Sequence, residues 1–186
     1  MAAKKKTRPS DHIRRAQKDM RSNRGKLVTS TKVEEPEAVY GKVVANRAIA
    51  FLGMEGKKDF LTITNFSDFI SVIRKGVSNK GMDKLMEITA ITLKEMAVII
   101  QVSDRTLRRY KSQTLLNREQ SERVVELARL YSRGEQVFGN LESFKEWMNS
   151  TVMALGNKKP KEFLDTSLGI NILMDELGKI EHGIFA

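Results

Sequence analysis

The chain contains no cysteine. That absence excludes disulfides and thiolate-ligated metal, and it fits a reducing compartment. Histidine is nearly absent as well, with His12 and His182 as its two occurrences, so histidine-based catalysis and histidine-rich metal sites have little to draw on. No metalloprotease helix, nucleophile elbow or glycine-rich phosphate loop is present, and carboxylate pairs such as Glu34-Glu35 read as exposed charge. These gaps argue against an enzyme, a cofactor, a bound metal or a small-molecule substrate. Long apolar runs are missing too: none approaches the roughly 20 residues of a membrane helix. The basic N-terminus lacks the apolar stretch of a secretory signal, and Ala16-Gln17-Lys18-Asp19 after Arg14-Arg15 do not suit twin-arginine export. A cytoplasmic protein without membrane contact is expected.

What is present is charge, unevenly placed. Hydrophobic residues make up 40% of the chain and charged residues 30%, the balance of a soluble globular protein. The net charge is +10, yet residues 1–32 hold eleven Lys and Arg against Asp11 and Asp19, which leaves about +1 for the remaining body. An anionic partner is implied, reached first through a terminal arm. The arm has few large apolar residues (Ile13, Met20, Leu27, Val28), so ordering it would cost backbone entropy with little burial in return, and disorder is expected. Such an arm either binds phosphates by counterion release or serves as a solvated tail.

Beyond the arm the apolar pattern is helical. Val39, Tyr40, Val43, Val44, Ala48, Ile49 and Leu52 fall near helical spacing over residues 34–52, with Pro36 acceptable in a first turn and Gly41 as an interruption. The short alternation Phe60-Leu61-Thr62-Ile63-Thr64 has no partner strand and reads as extended linker. Ser67 is the expected cap of a helix facing inward with Phe69, Ile70, Val72 and Ile73 and stopping at Gly76, and a second short helix with Leu85, Met86 and Ile88 follows Gly81. Asn117 and Gln120 have capping-box spacing before Val124, Leu127, Ala128 and Tyr131, which predicts a long helix to Gly134. The last fifty residues continue with core-type apolar groups punctuated by glycines.

Between Thr92 and Ser112 the spacing is that of a helix-turn-helix. Met96, Ile100, Val102, Leu107 and Tyr110 can meet in the wedge between two helices, and Ala97 is small enough to let them approach. Gln101 stands where many such turns carry glycine. Ser103 is the expected cap of the second helix, and Ser103, Asp104, Arg105, Thr106, Arg108, Arg109 and Lys111 are the candidate DNA-contact residues. Arginine makes bidentate bonds to guanine, hydroxyls and lysine hold phosphates, and an aspartate accepts from cytosine. Double-stranded operator DNA and a homodimer on paired half-sites follow from the motif.

The second half resembles the Xre/MbcA/ParS family of antitoxins. The resemblance is carried by Ser103-x-Arg105-Thr106-Leu107-x-Arg109, by Leu116 to Arg123, by Val137-Phe138-Gly139, Trp147 and Ala154-Leu155-Gly156. It continues through Pro160-x-x-Phe163-Leu164-Asp165-Thr166, Gly169 and the ending Ile180 to Ala186. It covers roughly residues 66–186 and implies that residues 116–186 form a small helical toxin-binding domain; with the residue pattern above, the expected fold is all-α in three parts, a basic, mostly disordered extension over 1–60 outside the match, a helix-turn-helix DNA-binding domain over 61–115 and the toxin-binding domain. It further implies a RES-domain toxin as partner, an NAD-degrading protein blocked when the antitoxin covers its active-site pocket, and repression of the antitoxin's own operon. The implied toxin-binding residues are Glu181, His182, Gly183, Ile184, Phe185 and Ala186. Gly169 and Gly183 are expected at turns, and the terminal Ile-Phe pair either enters a partner's cleft or folds back on its own core. A stand-alone helix-turn-helix regulator without a toxin is the alternative reading.

Overall fold

A computed structural model describes residues 36–55 and 66–183. The basic arm, the Phe60–Thr64 alternation and Ile184, Phe185 and Ala186 lie outside the described residues. The described chain is helical: α1 (Pro36–Phe51), a 3₁₀ turn (Phe66–Asp68), α2 (Phe69–Lys75), α3 (Asn79–Thr89), α4 (Leu93–Ile99) and α5 (Asp104–Leu107) lead to the long α6 (Arg118–Phe138). After it come α7 (Leu141–Asn149), 3₁₀ turns at Met153–Leu155 and Pro160–Phe163, and α8 (Ser167–Glu181). No strand forms among the described residues; two isolated antiparallel bridges join Ser78 to Leu115 and Val152 to Lys158.

Helix α6 organises the rest. Its start is the expected capping box: the Gln120 amide donates to Asn117 Oδ1 at 2.8 Å and the Asn117 amide to Gln120 Oε1 at 3.1 Å. Val124, Leu127, Ala128 and Tyr131, spaced for one helical face, are buried. Helices α1, α2, α7 and α8 all pack against it. The expected stop at Gly134 is corrected by this packing. The helix runs on to Phe138 and ends at Gly139 with φ 78°, a left-handed cap. Gly134 is buried within it, and a Cβ there would fall 2.4 Å from the Phe144 ring, so the glycine serves close approach rather than termination. Around that contact the rings of Tyr131, Phe138, Phe144 and Trp147 form a chain with centroid separations of 5.2–5.8 Å.

Gly41 does not break α1, and Pro36 occupies its first turn. Ala45, Ala48, Ile49 and Phe51 of this helix are buried in the same core as the helix-turn-helix and the C-terminal helices. The Ser132 hydroxyl donates to the Val44 carbonyl at 2.7 Å, and Arg47 makes a two-bond pair with Glu135 at 2.6 and 2.7 Å. Helix α1, within the stretch assigned to the extension, thus packs into the folded core.

Two further helix starts differ from expectation. Ser67 is exposed and lies within the 3₁₀ turn; Asp68 holds the cap position of α2 without a side-chain capping bond, and Ile70 is 48% exposed while Phe69 and Val72 are buried. Helix α3 begins before Gly81, not after it. The Ser78 hydroxyl accepts from the Gly81 amide at 3.2 Å, and a Cβ at Gly81 would lie 2.7 Å from the Leu52 carbonyl oxygen, so glycine is needed where the end of α1 meets α3.

Candidate DNA interface and C-terminal surface

The helix-turn-helix forms over the residues whose spacing predicted it. Thr92 and Glu95 close a capping box at the start of α4. The turn places Gln101 in the left-handed region with φ 56°, the conformation for which glycine is the usual residue. Met96, Ala97, Ile100 and Leu107 are buried in the wedge, with Val102 and Tyr110 partly buried against it. Helix α5 is a single turn. Ser103 caps it by accepting from the Thr106 amide at 3.1 Å, and its hydroxyl also meets that of Thr106 at 2.8 Å. Arg105, Thr106, Arg108, Arg109 and Lys111 are exposed. Asp104 is half-exposed, with Oδ2 bonded by Arg108 at 3.3 Å and Oδ1 turned inward, so it neutralises an arginine of its own helix rather than standing outward as a free acceptor.

So short a recognition helix needs an external frame, and α6 supplies it. Gln120, already in the capping box, donates through Nε2 to the Tyr110 hydroxyl at 3.2 Å. The buried Ser121 hydroxyl accepts from the Val77 amide at 3.0 Å and donates to the Leu116 carbonyl at 3.2 Å, joining the residue before α3 to the residue before α6. None of these contacts is written in the local spacing. The Thr92-x-x-Glu95 capping box, by contrast, is a sequence-level signature.

In the C-terminal part, Ser167 donates to the Glu126 carboxylate at 2.9 Å and accepts from Arg123 at 2.6 Å, which docks the first turn of α8 on α6. Gly169 is not at a turn as expected. It lies in the first turn of α8, where a Cβ would be 2.0 Å from the Phe163 carbonyl oxygen. At the other end Arg133 holds Glu181 through both carboxylate oxygens, at 2.5 and 3.4 Å. Glu181 is therefore engaged within the chain, while His182 and Gly183 are exposed and Gly183 has φ 66°. Leu168 and Ile172, one helical turn apart on α8, are 71% and 39% exposed, and Met153 is 81% exposed.

A groove of about 350 Å³ separates the helix-turn-helix from the C-terminal turns, lined by Ile91, Val98, Ile99, Met148 and Leu164 among others. Lys161 spans it to Glu95 at 3.7 Å. Burial alone would raise the Glu95 carboxyl, but hydrogen bonds from Thr92 and the Lys161 charge outweigh it and hold the group below its ordinary range. Burial pushes the Tyr131 phenol on the groove wall upward, and Glu95 adds to that. Among the described residues no cluster of His, Asp and Glu could hold a metal ion, and no helix is long and apolar enough to cross a membrane.

Two family models match in succession: the antitoxin Xre-like helix-turn-helix domain over residues 68–129 and the antitoxin Xre/MbcA/ParS C-terminal toxin-binding domain over residues 133–183. They meet within α6, the helix that carries the shared core. Antitoxin Xre of Yersinia enterocolitica is 25% identical over 119 residues, covering 63% of this chain and 80% of that protein. A Sphingobium protein named Prs ADP-ribosylating antitoxin is 28% identical over 129 residues, covering 64% and 81%. Antitoxin Xre of Photorhabdus laumondii is 24% identical over 116 residues, covering 61% and 78%. With a helix-turn-helix and a toxin-binding segment matched in order along one fold, the chain belongs to the Xre/MbcA/ParS-type antitoxins of toxin–antitoxin systems.

Proposed function

We propose that this antitoxin neutralises an NAD-degrading RES-domain toxin by laying its C-terminal end, Glu181 to Ala186, over the toxin's active-site pocket, and that as a homodimer it represses its own operon through Ser103 to Lys111. The observation that carries the first part is the anchored last turn of α8. Arg133 fixes Glu181, and Gly183 then turns the chain in a left-handed conformation immediately before the last three residues. Residues that leave a fixed base lose less conformational freedom on insertion than residues that leave a mobile one. In this division of labour Glu181 serves by fixing the base, His182 and Gly183 shape the exit, and the Ile184-Phe185 pair supplies apolar area to the cleft. Functionally, residues 61–115 are assigned to the operator and residues 116–186 to the toxin, although both stand on one core.

The DNA half of the proposal rests on four exposed cations at a capped turn whose own aspartate is already paired. The test is co-expression with the neighbouring gene, purification of the complex and an NAD-consumption assay on the partner with and without the antitoxin. Suppressed NAD loss in a purified complex is the expected result. A partner that does not consume NAD removes the RES assignment, and a chain that binds its upstream DNA but captures no protein is a stand-alone regulator.

A further inference from the structure

Arg105, Arg108, Arg109 and Lys111 belong to the recognition turn, but the fold brings further cations beside them that the motif does not contain. Residues 77–80 and 112–116 run antiparallel. The Leu116 amide donates to the Val77 carbonyl at 2.8 Å, the Asn79 amide to Thr114 at 2.8 Å and the Lys80 amide to Ser112 at 3.0 Å, with the Ser78–Leu115 bridge between them. In this register Lys80 lies beside Ser112, one residue from Lys111, while Lys75 and Arg118 flank the opposite end of the paired segments. All four are exposed. Segments 74–80 and 105–118 together contain eight Lys and Arg and no Asp or Glu.

The pairing is rigidly built. Ser121 clamps both segments, and a Cβ at Gly76 would fall 2.8 Å from the Leu116 carbonyl oxygen, so that glycine with φ 88° admits the close approach. Among the described residues, Lys80, Lys111 and Arg118 form no ion pair that would offset their charge. Like charges held together on a fixed backbone are self-repulsive until an anionic partner covers them.

We propose that Lys80 and Arg118 form a phosphate-anchoring band for duplex DNA along the paired segments, which meets the recognition turn at Lys111. The proposal rests on the reading of the helix-turn-helix as operator-binding. DNA is the occupant because the paired segments lead into the turn that carries the exposed recognition arginines, and because cations there outnumber carboxylates, Asp104 being already paired with Arg108, which suits the negative charge of a phosphate backbone. Such contacts add affinity and register, not sequence choice.

The experiment uses the full chain, a duplex from the region upstream of its own gene and a scrambled duplex of the same composition, titrated between about 50 and 200 mM salt. For Lys80→Gln with Arg118→Gln, the slope of log affinity against log salt should fall by about two, roughly one per cation removed. Affinity should drop by the same factor on both duplexes, leaving their ratio intact. Lys80→Arg with Arg118→Lys should keep the wild-type slope, which separates charge from fold. An unchanged slope in the double glutamine variant overturns the band while leaving the operator reading in place. Loss of toxin capture with DNA binding intact reassigns the band to a protein partner and overturns it equally. If the wild-type chain binds neither duplex, the operator reading itself fails.

Discussion

At Gln101 a side chain occupies backbone that glycine adopts without strain, at the point where α4 gives way to α5. The residue is exposed, so its side chain contributes little packing to offset that strain. Gln101→Gly should therefore stabilise the fold by about 0.5–1 kcal/mol, the gain in left-handed geometry being partly cancelled by a freer unfolded chain. A raised denaturation midpoint with unchanged slope is the expected reading, and a lowered midpoint would mean that Gln101 makes a contribution the strain argument omits. Glu95 offers a second test at this scale. Its folded pKa is depressed, so the stability it adds is complete above the ordinary carboxylate range and is lost as pH falls through the lowered value. Glu95→Gln keeps the residue type allowed in the capping box and removes the charge. Chemical denaturation at neutral and acid pH should show a shallower acid loss in the variant; parallel losses would count against the assignment.

Helix α5 is too short to define a recognition surface unaided, and its four residues depend on the Ser103 cap, on the wedge and on the Tyr110–Gln120 bond to α6. The arginines, however, are exposed and lie outside the core. Arg105→Ala with Arg109→Ala should abolish operator binding while toxin capture and thermal stability stay near wild type, read by titration of labelled DNA beside co-purification. Loss of both activities would point to unfolding or to another division of labour. Element boundaries show where sequence suffices. Capping at Asn117 and Ser103 is legible because the interacting atoms are three residues apart, and helical spacing marks α1 and α6 because burial follows the turn. Gly81, Gly134 and Gly169 mislead when read as punctuation. Each is a close-approach site against a neighbouring element, the Leu52 carbonyl, the Phe144 ring and the Phe163 carbonyl.

Over the whole molecule, one core carries both matched domains, with α6 as their common member. In the division of labour proposed above the two activities use separate surfaces, the recognition turn and the end of α8, so they should separate by mutation. Removing Gly183 to Ala186 takes away none of the core residues found among the described residues and should impair toxin neutralisation while sparing DNA binding. The check is growth protection beside operator titration; a truncated chain that still protects cells fully would rule out terminal insertion.

The sequence by itself determined the helical class, the helix-turn-helix with its unusual Gln101 and the capping that starts α5 and α6, because these depend on residues within a few positions of one another. Tertiary structure alone decided that residues 36–51 join the core, that Glu181 is tied to Arg133, and that Lys80 is paired with Ser112 next to Lys111. Those facts rest on contacts between residues dozens of positions apart, which no local spacing encodes.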